Sequence, residues 1–215
     1  MIGNSFVTIS QYFYWYFSLN VLVFISNLPF VIALYRLKLN RPNLILFFIS
    51  LIPLGVSLGS LLSCLNKIKV EKDLESLKDY LYFYREGYQK ISIIWIISLS
   101  LLTILVSNTL FVMNTGYFPV LMPPNMILMS LLISMFLCGL TLTTKFNTNL
   151  KETFKLSFYF SVRKCYLALV NVMLFITWGF VTILRPVMGL LVLPSLIFFL
   201  IVQNNEWITK VKKRG

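Results

Sequence analysis

The sequence predicts an all-α membrane protein of about six transmembrane helices, with two amphipathic helices at the cytosolic interface. Three observations carry this expectation. The 215 residues are 58% hydrophobic and only 12% charged, about half the charged share of an ordinary soluble domain. Six apolar runs are long enough to span, a helix needing roughly 20 such residues to cross about 30 Å of hydrocarbon. All seven acids, Glu71, Asp73, Glu75, Asp79, Glu86, Glu152 and Glu206, fall outside those runs.

The whole chain, 1–215, reads as one transmembrane domain. The first span, about 12–35, opens on the aromatic cluster Tyr12, Phe13, Tyr14, Trp15, Tyr16 and Phe17, as suits a headgroup boundary. Asn20 and Asn27 are seven residues apart and share a helix face, and Pro29 should kink the span near Ser26–Asn27. The basic turn Arg36–Pro42 leads to the second span, about 43–65.

This second span holds a strip of small residues. Gly55, Gly59 and Ser63 recur at i, i+4 and i+8, so on a helix they line one face. In lipid, burial of apolar surface does not pull helices together; close backbone approach and interhelical hydrogen bonds do. The strip therefore serves helix packing, either inside one bundle or against a second subunit.

A polar segment, 66–90, follows. Leu74, Leu77, Leu81, Tyr84 and Tyr88 keep helical spacing, with Glu75, Lys78, Asp79 and Glu86 mostly opposite. The expectation is an amphipathic helix over 73–88 lying in the interface plane. The third span is about 91–113 and carries Asn108; the fourth, about 122–144, starts at Pro123–Pro124. A second interfacial helix is expected over 150–162, where Asn149 and Glu152 have the form of a capping box. Leu150, Phe154 and Phe158 share one of its faces. The fifth span, about 164–184, carries Asn171; the sixth, about 187–203, is short and contains Pro194.

Counting Lys and Arg sets the orientation. With the N-terminus cytosolic, 15 basic residues lie inside and 4 outside, which places both termini in the cytosol. The net charge of +12 sits beside apolar spans, so it points to anionic lipid headgroups and not to nucleic acid. No cleavable signal peptide is expected, because no Lys or Arg precedes the first apolar run.

Candidate chemistry is sparse. The chain has no histidine, the commonest general base and metal ligand. Cys64, Cys138 and Cys165 lack zinc-type spacing and offer no disulfide framework. No carboxylate lies in a span to relay protons. No enzymatic activity, cofactor or metal site is therefore expected. The intramembrane amides Asn20, Asn27, Asn108 and Asn171 must find partners; they either bond between helices or line a path for a neutral solute. The two amphipathic helices either anchor in the headgroups or dock a partner through Leu74, Leu77, Leu81, Tyr84, Leu150, Phe154 and Phe158.

Several stretches carry a family resemblance. They are Leu19–Leu22 with Asn27-Leu28-Pro29, Ile52–Leu58 ending in Ser63–Lys67, the aromatic and basic Leu77–Lys90, and Leu150–Lys164. Their order and character resemble the YesL family of bacterial membrane proteins, although Val31–Leu51 is extra chain relative to that pattern. The resemblance implies a multi-pass protein of the bacterial cell membrane, often encoded beside carbohydrate ABC importers, and brings no catalytic residues with it. An accessory role beside importer permease subunits is the function it implies. A stand-alone channel or transporter for an uncharged solute is the alternative; the sequence leaves the solute and the oligomeric state open.

Overall fold

A computed structural model describes residues 2–37, 44–113, 118–146 and 148–206. Ten helices and no strand are present among them. Four helical stretches are long and apolar enough to cross a membrane: Leu46–Glu71, Ser76–Thr109, Val120–Lys145 and Cys165–Leu184. A fifth is added if the bent pair Ser10–Ser26 and Leu28–Arg36 counts as one span. The chain is thus an all-helical protein with the span-capable helices of a membrane protein, four or five in number against the six that its apolar runs predict.

Proline chemistry accounts for the difference. α1 (Ile2–Ser26) and α2 (Leu28–Arg36) meet at a 60° bend at Asn27, because Pro29 cannot donate to the preceding turn and crowds its carbonyl. The apolar run expected as the sixth span is likewise divided. Pro194 interrupts it, leaving α9 (Pro186–Leu191) and α10 (Pro194–Asn204), neither of them long enough alone. α3 (Leu44–Ser50) and α4 (Ile52–Glu71) are separated only by a turn at Leu51, with Pro53 in the first turn of α4.

Two boundaries differ from the sequence expectation. The segment expected as a separate interfacial helix is the first part of α5 (Ser76–Met113), which runs unbroken for 38 residues. Nothing in it interrupts the backbone ladder: it contains no proline, and its single glycine, Gly87, is accommodated within the helix. Its amphipathic pattern marks the polar end of a long helix. Similarly, α6 (Phe118–Lys145) begins before Pro123 and Pro124, which lie inside it. α7 (Leu150–Arg163) is a separate 14-residue helix, and α8 (Cys165–Leu184) follows it after a break at Lys164. Lys38 and Arg41 of the basic turn, residues 114–117, and the tail with Lys210, Lys212, Lys213 and Arg214 lie outside the described residues.

α4 is the centre of the bundle. Every residue from Leu54 to Leu62 is buried, so this helix is enclosed on all sides. Rings then tie the neighbouring helices together. Trp95 of α5 lies 4.7 Å from Phe136 of α6, and Phe136 lies 6.1 Å from Phe175 of α8. Phe175 in turn meets Phe198 of α10 at 6.4 Å. Large apolar side chains cover the outside, including Leu169, Met173, Ile176, Phe180 and Ile183 of α8. Exposed apolar surface on that scale is unusual for a soluble monomer and suits lipid.

Candidate functional site

The small-residue strip sets how closely α4 and α5 approach. A Cβ at Gly55 would overlap the side chain of Trp95, and one at Gly59 would overlap Ile91. Both glycines therefore face α5 within the same chain. Gly87 of α5 also packs toward Ile91. Ser63, one turn beyond Gly59, is half-buried and lines a cavity. Here larger polar side chains, Asn66 and Lys67, take over on α4.

Four buried side chains bond to the backbone at the helix breaks and turns. Asn20 donates to Val192 O at 3.0 Å and accepts from Ser195 N–H at 2.8 Å, spanning the gap between α9 and α10. Asn27 sits at the α1–α2 bend, where it donates to Val23 O at 2.8 Å and Ser57 Oγ at 2.7 Å; its Oδ1 has no partner among the described residues. Trp95 Nε1 donates to Leu51 O at 2.7 Å, at the turn between α3 and α4. Trp178 Nε1 donates to Gly189 O of α9 at 2.7 Å.

The other amides divide between networks and surface. Asn171 donates to Asn205 Oδ1 at 2.8 Å and accepts from Asn204 Nδ2 at 2.7 Å, and Asn205 donates to Thr141 Oγ1 at 2.9 Å. This ladder joins the end of α10 to α8 and α6. Asn108 is exposed near the end of α5. Asn125, which the apolar-run reading passed over, is buried and donates to Leu105 O at 3.0 Å. Its place directly after Pro123–Pro124 in an apolar run was the signal available.

The proposed docking ridge is split by the structure. Leu74 is buried, Tyr84 is half-buried, and Leu77 and Leu81 are exposed. Tyr80, one of the aromatics that suit headgroup depth by sequence, is instead buried; its OH lies 3.1 Å from Ser26 Oγ. On α7, Leu150 and Phe154 are half-buried against the core and Phe158 is exposed. The face of α7 that packs on α6 contains Thr153, Ser157 and Ser161, again at i, i+4 and i+8. A Cβ at Gly139 would meet Ser157 Oγ at 3.2 Å, and Ser134 donates to Ser161 at 2.8 Å. The spacing that marks α4 was thus repeated on α7, hidden there by a charged sequence context.

Charge gathers where α4 ends, α5 begins and α6 ends. A cavity of about 910 Å³ opens there, with Glu206 also on its wall. Lys67 of α4 pairs with Asp79 of α5 at 2.7 Å and lies 3.9 Å from Glu71. Asp79 also accepts from Glu75 N–H at 2.9 Å, so one carboxylate caps the start of α5 and ties it to α4. Lys69 pairs with Glu206, joining α4 to the chain beyond α10. These groups are partly exposed, so each pair contributes at most about 1 kcal/mol. Their effect is on geometry: they fix the rim of the cavity. A second cavity of about 310 Å³ shares Ser63, Phe83, Lys145 and Phe146 with the first and reaches Glu86 and Lys90.

Helices, packing seams and this ion-paired vestibule have the make-up of a helical membrane protein. The chain matches no family model, and no curated protein or solved structure matches it.

Proposed function

We propose that this protein is a non-enzymatic, multi-pass component of the bacterial cell membrane that works as an accessory to a carbohydrate ABC importer. The importer as partner comes from the resemblance to the YesL family. The observation that supports an interaction role is the allocation of polar groups. Buried amides in the apolar part of the bundle bond to broken helices and to one another, whereas charge collects around an open vestibule. Such a surface suits recognition by another polar surface. If the reading is right, the protein extracted in mild detergent co-purifies with the importer's permease subunits. Recovery of the protein alone, with no importer subunit attached, would count against it.

The proposal includes six crossings, with the bent α1–α2 pair and the broken α9–α10 pair each making one. It also includes cytosolic termini, with the start of α5 and α7 at the cytosolic interface. A natural probe exists, because Cys165 is exposed while Cys64 and Cys138 are buried. A membrane-impermeant maleimide should label inside-out vesicles once per chain, at Cys165, and leave intact cells unlabelled. Labelling of intact cells would reverse the orientation.

The alternative is a channel or transporter for an uncharged solute. It draws on the α9–α10 break, since transporters place binding sites at discontinuous helices. Flux of a sugar into proteoliposomes above that of empty liposomes would favour it.

A further inference from the structure

We infer that the outward face of α7 docks on a leaflet of anionic lipid, with Lys151 and Lys155 among the phosphate headgroups and Phe158, Tyr159 and Val162 at the acyl boundary. This rests on the placement of α7 at the membrane interface and names the lipid that meets it there. The helix is turned the opposite way from one on a water-soluble surface, which buries its apolar side. Its inward face, packed on α6, carries Thr153, Ser157 and Ser161 beside one large apolar side chain, Phe160. Phe158, Tyr159 and Val162 are exposed.

The charge on this face is one-sided. α7 and the break after it hold Lys151, Lys155, Arg163 and Lys164 against a single acid, Glu152. None of the four cations has an ion-pair partner among the described residues, whereas Lys67 and Lys69 at the vestibule are both paired with acids. Arg163 donates to Tyr159 OH and lies 5.5 Å from the centre of that ring, and Lys164 Nζ lies 5.7 Å from the centre of the Tyr166 ring. Both rings are themselves exposed. Cations held along exposed rings are suited to a boundary between oily and charged surroundings.

Lys151, Lys155, Phe158 and Val162 recur at i, i+4, i+7 and i+11, so they form one exposed stripe along the helix. Lysines occupy its first half and apolar side chains its second. The partner must therefore be anionic along one part of the stripe and oily along the next. A leaflet of anionic lipid is both. It is also continuous with the apolar surface that α8 exposes directly after the break, at Leu169, Met173 and Ile176. An acidic protein surface would match the lysines and leave the apolar half in water.

The full-length protein in neutral detergent provides the test, with tail-labelled phosphatidylglycerol and phosphatidylcholine of the same acyl chains as probes. Equilibrium binding of each is measured at low and at high salt. Neither sidedness nor an importer enters the measurement, so its outcome is separate from those of co-purification and maleimide labelling. Phosphatidylglycerol should bind more tightly at low salt, and the preference should shrink at high salt as the charges are screened. Replacing both lysines, Lys151→Gln with Lys155→Gln, should weaken phosphatidylglycerol binding about fivefold for each, or about 1 kcal/mol each. Thermal unfolding of that variant should match the wild type, because both side chains are exposed and unpaired. Arg85→Gln removes an exposed cation from α5 instead and should leave the affinity within about twofold. Phe158→Ser should weaken both lipids alike. Equal affinities for the two lipids at low salt overturn the proposal. So does a double variant that binds phosphatidylglycerol as tightly as the wild type, an Arg85→Gln protein as weak as the double variant, or a Phe158→Ser protein with both affinities unchanged.

Discussion

Gly55→Ala is expected to destabilise the protein by about 3 kcal/mol, at the upper end of the usual range for overpacking a core. The added methyl would overlap Cβ, Cγ and Cδ1 of Trp95. Trp95 cannot swing aside cheaply. Its Nε1 donates to Leu51 O at 2.7 Å, and its ring lies 4.7 Å from Phe136. Displacing it would take the indole N–H away from its acceptor at the α3–α4 turn, in surroundings without competing water. Gly179→Ala is the matched control. A Cβ there meets nothing within 4 Å, and replacing a helical glycine gains up to about 1 kcal/mol of propensity. Thermal unfolding of the two purified variants in detergent should therefore move in opposite directions, or down for Gly55→Ala and not at all for Gly179→Ala. Identical shifts would mean that α4 and α5 are not in close contact at this level.

Asn20→Leu is expected to cost about 2–4 kcal/mol, because it removes an acceptor and a donor together. The side chain spans the α9–α10 break, where Val192 O and Ser195 N–H have no intrahelical partner to replace it. Measured side-chain bonds in membrane proteins are often weaker than this, near 0.6 kcal/mol on average. The larger figure applies here because two backbone groups, not one flexible pair, would be stranded in apolar surroundings. Asn108→Leu, at an exposed position on α5, should change stability by less than about 0.5 kcal/mol. The pair also separates the two functional readings. If the polar residues line a solute path, both variants slow flux in proteoliposomes while Asn108→Leu remains as stable as the wild type. If Asn20 serves only to close the break, its loss appears as a lower unfolding temperature, measurable by intrinsic tryptophan fluorescence.

The charge deficit and the apolar runs made the helical, membrane-type fold legible, and Pro29 marked the α1–α2 bend. Run length was a weaker guide to span number. The run 187–203 is apolar throughout its first part, yet Pro194 divides it into helices too short to span. The start of α5 shows the opposite error. Its aromatic and charged pattern suggests a separate surface helix, but an amphipathic pattern records which side of a helix meets water and not where the helix stops. No residue between Tyr88 and Ile91 ends the ladder, so the helix continues.

The vestibule was half visible. Positive-inside counting assigns 66–90, 145–164 and the C-terminal segment to one side, which is the set of segments whose ends meet around the cavity. The pairings could not be seen. Lys67 and Asp79 are 12 residues apart, and Lys69 and Glu206 are separated by most of the chain.

What the sequence determined alone was the solvent partition of its side chains. Local composition dictates which segments prefer hydrocarbon, where a glycine strip permits close approach, and where a proline breaks a helix. What only the tertiary structure decided was which donor meets which acceptor. Asn20 finds the backbone of Val192 and Ser195 across the bundle, and Lys145 has no acid partner among the described residues while Lys67 and Lys69 are paired. Hydrogen bonds and ion pairs act over a few ångströms between residues distant in the chain, so their outcome depends on packing that no local pattern encodes.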